Sequence, residues 1–108
     1  MYGLKASDLD VIREVLERFP DVVSAWVYGS RALGTQKSGS DVDIALKGKD
    51  ITRNTVTRIS ALLNEESPLP YHFDITSYHA INKPQLKEHI DRFGMLLYET
   101  RNNGAKPQ

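Results

Sequence analysis

The chain contains no cysteine. That excludes disulfides and thiolate metal sites, and it fits a reducing cytoplasm. It also lacks a charge excess, with 14 basic residues balancing 14 acidic ones. Proteins that grip a long nucleic acid carry a basic surplus, so direct binding of long nucleic acid is not expected. No apolar run approaches the roughly 20 residues that span a bilayer, so no membrane role is expected. The first residues are too polar for a signal peptide. Internal repeats are absent too. With 108 residues there is room for one compact domain but not two. Hydrophobic residues make up 40% of the chain, enough to build a core. The expectation is a soluble cytoplasmic protein with one domain over residues 1–100 and a flexible polar tail over 101–108.

The apolar pattern supplies the elements. Ser7, with Asp10 three residues on, reads as a variant capping box. Leu9, Ile12, Val15, Leu16 and Phe19 then recur at helical spacing until Pro20. Val22 to Tyr28 is β-branched and aromatic, as in a strand. Gly29-Ser30 breaks it, and Arg31 to Leu33 allows one helical turn before a loop over Thr35 to Ser40. Asp41 to Leu46 and Tyr71 to Thr76 alternate as strands. Thr52 to Leu63 reads as a helix between them. Asn82 caps a last helix, with Pro84 in its first turn and Gly94 at its end, before a short strand over Met95 to Tyr98.

The order α-β-β-α-β-α-β predicts an α/β (α+β) fold with a mixed sheet of about four strands. The second and third strands each have one apolar and one polar face, which a sheet covered on both sides does not need. Helices are therefore expected on one face, and Asp41, Asp43 and Asp74 on the other. Residues two apart on a strand project together, about 7 Å apart, and neighbouring strands lie about 4.8 Å apart. Three carboxylates so placed repel one another unless a cation joins them. A hard divalent ion such as Mg²⁺ takes carboxylate oxygens together with phosphate oxygens, and two such ions clamp the attacking and leaving oxygens of an in-line transfer. Gly29 lets backbone approach a ligand closely. Ser30 offers a hydroxyl to a phosphate, and Arg31 a positive charge. The stretch is neither a Walker loop nor an EF-hand loop, since the required Lys and closing Glu are missing.

Gly29-Ser30, ten intervening residues, then Asp41-Val42-Asp43, with Asp74 on a later strand, resembles the DNA polymerase beta-like nucleotidyltransferase superfamily. The short length and "YGSRALGTQKSGSDVDIAL" are most similar to its minimal nucleotidyltransferases. The resemblance spans residues 8 to 98. It implies that Asp41 and Asp43 hold two Mg²⁺ ions, that Asp74 is the third carboxylate, and that Gly29 and Ser30 bind the triphosphate of ATP. It further implies an antitoxin that transfers AMP to a tyrosine of a helical HEPN toxin, in a hetero-oligomer with that partner. A domain this small has little surface left to position an acceptor, which independently favours a protein partner. Two other readings are a binding module that neutralises its partner by occlusion, and nucleotidyl transfer to a small molecule.

The remaining polar residues have plainer expectations. Lys37, Lys47, Lys49, Arg53 and Arg58 read mainly as solvated surface. His72 shares the face of Asp74 as a neutral bystander. His79 and His89 have no metal-ligand spacing. Trp26 and Tyr28 read as packing residues, while Tyr71 and Tyr78 are placed where they would stack on adenine.

Overall fold

The computed structural model describes residues 2–37 and 39–100. The tail expected over 101–108 lies outside them. Helix α1 (Ala6–Glu17) is followed by β1 (Ser24–Tyr28), the short turn α2 (Ser30–Leu33), β2 (Val42–Lys47), α3 (Arg53–Ala61), β3 (Phe73–Ser77), α4 (Pro84–Phe93) and β4 (Met95–Glu99). The strand order is β3-β2-β1-β4. β1 runs antiparallel to both β2 and β4, whereas β2 and β3 are parallel. The expected element order and mixed four-stranded sheet are both present. Among the described residues no helix is long and apolar enough to cross a membrane.

A parallel pair needs a long crossover, because the chain must return to the starting edge. α3 makes that return between β2 and β3. Thr52 caps it, its Oγ1 accepting the Thr55 N–H at 3.2 Å. The helix then widens into a π turn over Leu62–Glu66. α1 begins at Ala6 with Lys5 at its N-cap, two residues earlier than the Ser7 pattern suggests, and its cap comes from Asp8 rather than Asp10. Asp8 Oδ2 accepts the Lys5 N–H at 3.1 Å and the Tyr71 hydroxyl at 2.9 Å. The second partner comes from a distant residue, so the local pattern carried no sign of it.

The main core lies between the sheet and α1 with α3. Ile12, Leu16, Ile59 and Leu63 pack with Val27, Ile44, Leu46 and Phe73. Burying each such side chain contributes on the order of 1.5–3 kcal/mol. The opposite face departs from expectation. There Tyr28 and Ala45 form a second apolar cluster with Ile90 of α4, flanked by Tyr78, Ile81 and Leu86. Alternation along β1 and β2 places Tyr28 and Ala45 on the side away from the main core. So α1 and α3 cover one face, but α4 covers part of the carboxylate face. Ala45 is small enough to read as part of a polar face, yet it offers apolar ground on which α4 docks.

β3 lies at the sheet edge, so its outer backbone groups need partners. Asn64, in the π turn, supplies them at Phe73. Its Nδ2 donates to the Phe73 carbonyl at 2.9 Å, and its Oδ1 accepts the Phe73 N–H at 2.7 Å. One amide side chain thus stands in for a missing strand beside Asp74. Asn64→Ala is expected to cost about 1–3 kcal/mol of stability and to speed amide exchange at Phe73. Denaturant unfolding together with residue-resolved exchange checks this, and unchanged protection of Phe73 would refute the clamp.

Candidate active site

The register decides which carboxylates meet. Asp43 lies opposite Tyr28 of β1 on one side and Asp74 of β3 on the other. Neighbours in a ladder present their side chains to the same face, so Asp43 and Asp74 share a face of the sheet. Asp41 is exposed and sits one residue ahead of β2. Asp74 is exposed as well, while Asp43 is half-buried. Among the described residues, no three acidic or imidazole groups already converge as a ligand set.

Electrostatics records the crowding. The Asp43 carboxyl is raised above its ordinary value of 3.8, first by burial, then by the charges of Asp74 and Asp41; Arg31 and His72 partly offset this. A bound cation relieves both the burial and the repulsion. Hard carboxylate oxygens fit a hard ion such as Mg²⁺, so the donor set matches the expected metal.

The turn before β2 meets the same carboxylate. Gly29 has φ 75° and ψ −150°, a conformation that glycine tolerates far better than other residues. A Cβ at Gly29 would sit 2.5 Å from Asp43 Oδ2. The glycine is therefore favoured by its own dihedrals, and any side chain there would have to displace the aspartate oxygen. Ser30 follows, half-buried, at the start of α2.

A match to the family model for Polymerase beta, Nucleotidyltransferase covers residues 10–103. The chain belongs to this nucleotidyltransferase family. A protein from Haemophilus influenzae, named probable protein adenylyltransferase MntA, is 23% identical over 108 residues, covering 96% of this chain and 90% of that protein. A crystal structure of a toxin–antitoxin with AMP-PNP is similar with a TM-score of 0.71 at 22% identity, covering 89% of this chain and 77% of that one. A rebuilt structure of a tri-AMPylated Shewanella oneidensis HEPN toxin in complex with an MNT antitoxin is similar with a TM-score of 0.66 at 18% identity, covering 95% and 76%. The family and the fold expected from the Gly-Ser and Asp-x-Asp spacing are the ones found.

Within the nucleotidyltransferase, Arg31 departs from its expected place as a phosphate ligand. It is only 4% exposed. Nε donates to the Asp41 carbonyl at 3.2 Å, Nη1 to the Tyr2 carbonyl at 2.9 Å and Nη2 to the Ser40 carbonyl at 2.8 Å. Its guanidinium also lies 5.1 Å from the Tyr71 ring centre. A buried guanidinium is tolerable only when its donors are satisfied, and here loop carbonyls do that. Arg31 thus ties the turn after Gly29-Ser30 to the segment entering Asp43. It joins the two halves of the motif from within.

The aromatic expectations change for a similar reason. The ring of Tyr71 is faced by Arg31, and that of Tyr78 by Lys47 at 4.5 Å and Lys87 at 4.8 Å. Each of these rings therefore already has a cation packed against it. Lys47 also lies 4.9 Å from the Trp26 ring, and Arg58 lies 5.2 Å from that of Phe19. These two cations cover aromatic surface, while Lys49 and Arg53 remain exposed. One site residue gave no signal in the sequence. His89 Nε2 accepts the Gly29 N–H at 3.0 Å across 60 residues.

Two outcomes follow from this geometry. Arg31→Lys keeps the charge but loses the planar fork, and a lysine has no geometry to serve all three carbonyls. It is expected to destabilise the protein by about 1–3 kcal/mol and to loosen the loop over residues 35–41, as read by thermal melting and amide exchange. Wild-type exchange in that loop would show that the fork is dispensable. The second concerns Asp43. Its folded-state proton affinity is raised, so it favours folding fully below the unfolded value of 3.8, and that contribution is lost as pH rises through the higher folded value. In chelator at neutral pH, Asp43→Asn is therefore expected to melt above wild type, with the gain shrinking toward acid pH. A variant that melts at or below wild type at pH 7 would contradict this.

Proposed function

We propose that this nucleotidyltransferase transfers AMP from ATP to a tyrosine hydroxyl of a HEPN toxin partner and thereby acts as its antitoxin. The observation that carries the reading is the meeting of Asp43, Asp74 and the Gly29 turn at one end of the sheet. The name of the Haemophilus influenzae relative and the toxin–antitoxin neighbours support the acceptor class. The two proteins would form a cytoplasmic hetero-oligomer.

Asp41, Asp43 and Asp74 would hold two Mg²⁺ ions, which supply charge neutralisation at the phosphates. Gly29 and Ser30 receive the triphosphate. Gly29 adds no side chain between phosphate and Asp43. The Ser30 hydroxyl makes no hydrogen bond among the described residues, so it is free to donate. As the acceptor oxygen bonds the α-phosphorus, its proton would pass to the exposed Asp74 carboxylate and from there to water. The α–β bridging bond breaks, and pyrophosphate carries away the electron pair. Asp74 is exposed on the edge strand β3, where a hydroxyl from another protein has access. Asp43, half-buried on an inner strand, is shielded and serves the nucleotide side.

The test combines the protein, its toxin partner, labelled ATP and Mg²⁺, followed by mass measurement of the toxin. Asp43→Ala is expected to lower transfer by about a hundredfold or more, the scale seen when one charge-stabilising group is lost, while the fold persists. Undiminished labelling by Asp43→Ala would sink the mechanism. Neutralisation of the toxin by a double Asp41→Ala, Asp43→Ala variant would instead point to occlusion.

A further inference from the structure

We infer that His89 is a positioning residue for the nucleotide, acting through the Gly29 amide. The inference rests on the reading that Gly29 and Ser30 receive the triphosphate. Gly29 needs positive φ and the absence of a Cβ, but a glycine that satisfies both also brings the largest backbone freedom of any residue. Something must remove that freedom if the turn is to meet phosphate in one shape. The Gly29 N–H donates to His89 Nε2 at 3.0 Å, and His89 belongs to α4, an element far along the chain.

The imidazole is itself held on two sides. Its ring meets Tyr28 edge-on, with centroids 6.2 Å apart and planes at 74°, and lies 5.4 Å from the Phe93 ring. Tyr28 is in turn buried against Ile90 on the carboxylate face. A clamped ring thus fixes a flexible amide, and the next residue presents the Ser30 hydroxyl. The bond requires Nε2 to be the unprotonated nitrogen, which assigns the proton of the neutral ring to Nδ1. His89 takes no part in the chemical step. It sets the shape of the turn that the phosphates meet.

Two variants separate packing from hydrogen bonding. His89→Phe keeps a flat ring between Tyr28 and Phe93 but accepts no hydrogen bond. His89→Gln puts an acceptor oxygen near the position of Nε2. With ATP and Mg²⁺ in calorimetry, His89→Phe is expected to bind about five- to tenfold more weakly than wild type, the scale of one lost hydrogen bond. His89→Gln is expected to restore affinity to within about twofold of wild type. Equal affinity for wild type and His89→Phe overturns the inference, as does His89→Gln binding as weakly as His89→Phe. If wild type itself binds no ATP, the functional reading falls and takes this inference with it. A measurement on the unaltered protein covers the case in which the variants do not fold. By NMR, the Gly29 amide is expected to exchange slowly, with Nε2 of His89 unprotonated. Rapid exchange at Gly29, or a proton on Nε2, overturns the inference.

Discussion

Asp43 and Asp74 stand side by side on neighbouring parallel strands, and the rest of the structure is arranged around keeping them there. Two carboxylates so placed repel, and one of them is half-buried. No local interaction would choose that arrangement. It is held because the same strands bury Ile44, Leu46, Phe73 and Ile75 on the opposite face. Slipping the register by one residue would turn those apolar chains outward, at a cost of several kcal/mol each way. The carboxylates are thus pinned by the hydrophobic face behind them. Asn64 closes the edge where this pairing would otherwise fray.

The loop that separates the Gly-Ser turn from β2 poses the opposite problem. It has few apolar residues to anchor it. Arg31 resolves this by placing one planar cation between two of its carbonyls, those of Ser40 and Asp41, and the Tyr2 carbonyl beyond it. The charge is buried, but its donors are used and Tyr71 covers its face. The result is a hydrogen-bonded link between the proposed phosphate turn and the segment entering the aspartates. In-line transfer depends on such fixed geometry, because much of the barrier reduction comes from positioning.

α4 gives the site its boundary. By packing Ile90 onto Tyr28 and Ala45 it closes part of the polar face and leaves Asp41 and Asp74 exposed at the open part. The same packing brings His89 to Gly29. One helix therefore limits the site and reaches its most flexible residue.

Local pattern alone carries the alternation of β2 and β3, and so the sharing of one face by Asp43 and Asp74. It also carries the Gly-Ser break and the spacing that marks the family. All of these are set within a few residues, by strand period and by the conformational needs of glycine. Long-range packing sets the rest: Asp74 pairs in register with Asp43, Arg31 serves backbone carbonyls, α4 crosses to the carboxylate face, and His89 accepts the Gly29 N–H. Each joins residues from separate elements. Ala45 looks the same whether or not a helix covers it, and a histidine on a helix carries no mark of the amide it will meet. Local periodicity specifies which way a side chain points along its own element. The partner waiting there is set by packing of the whole chain.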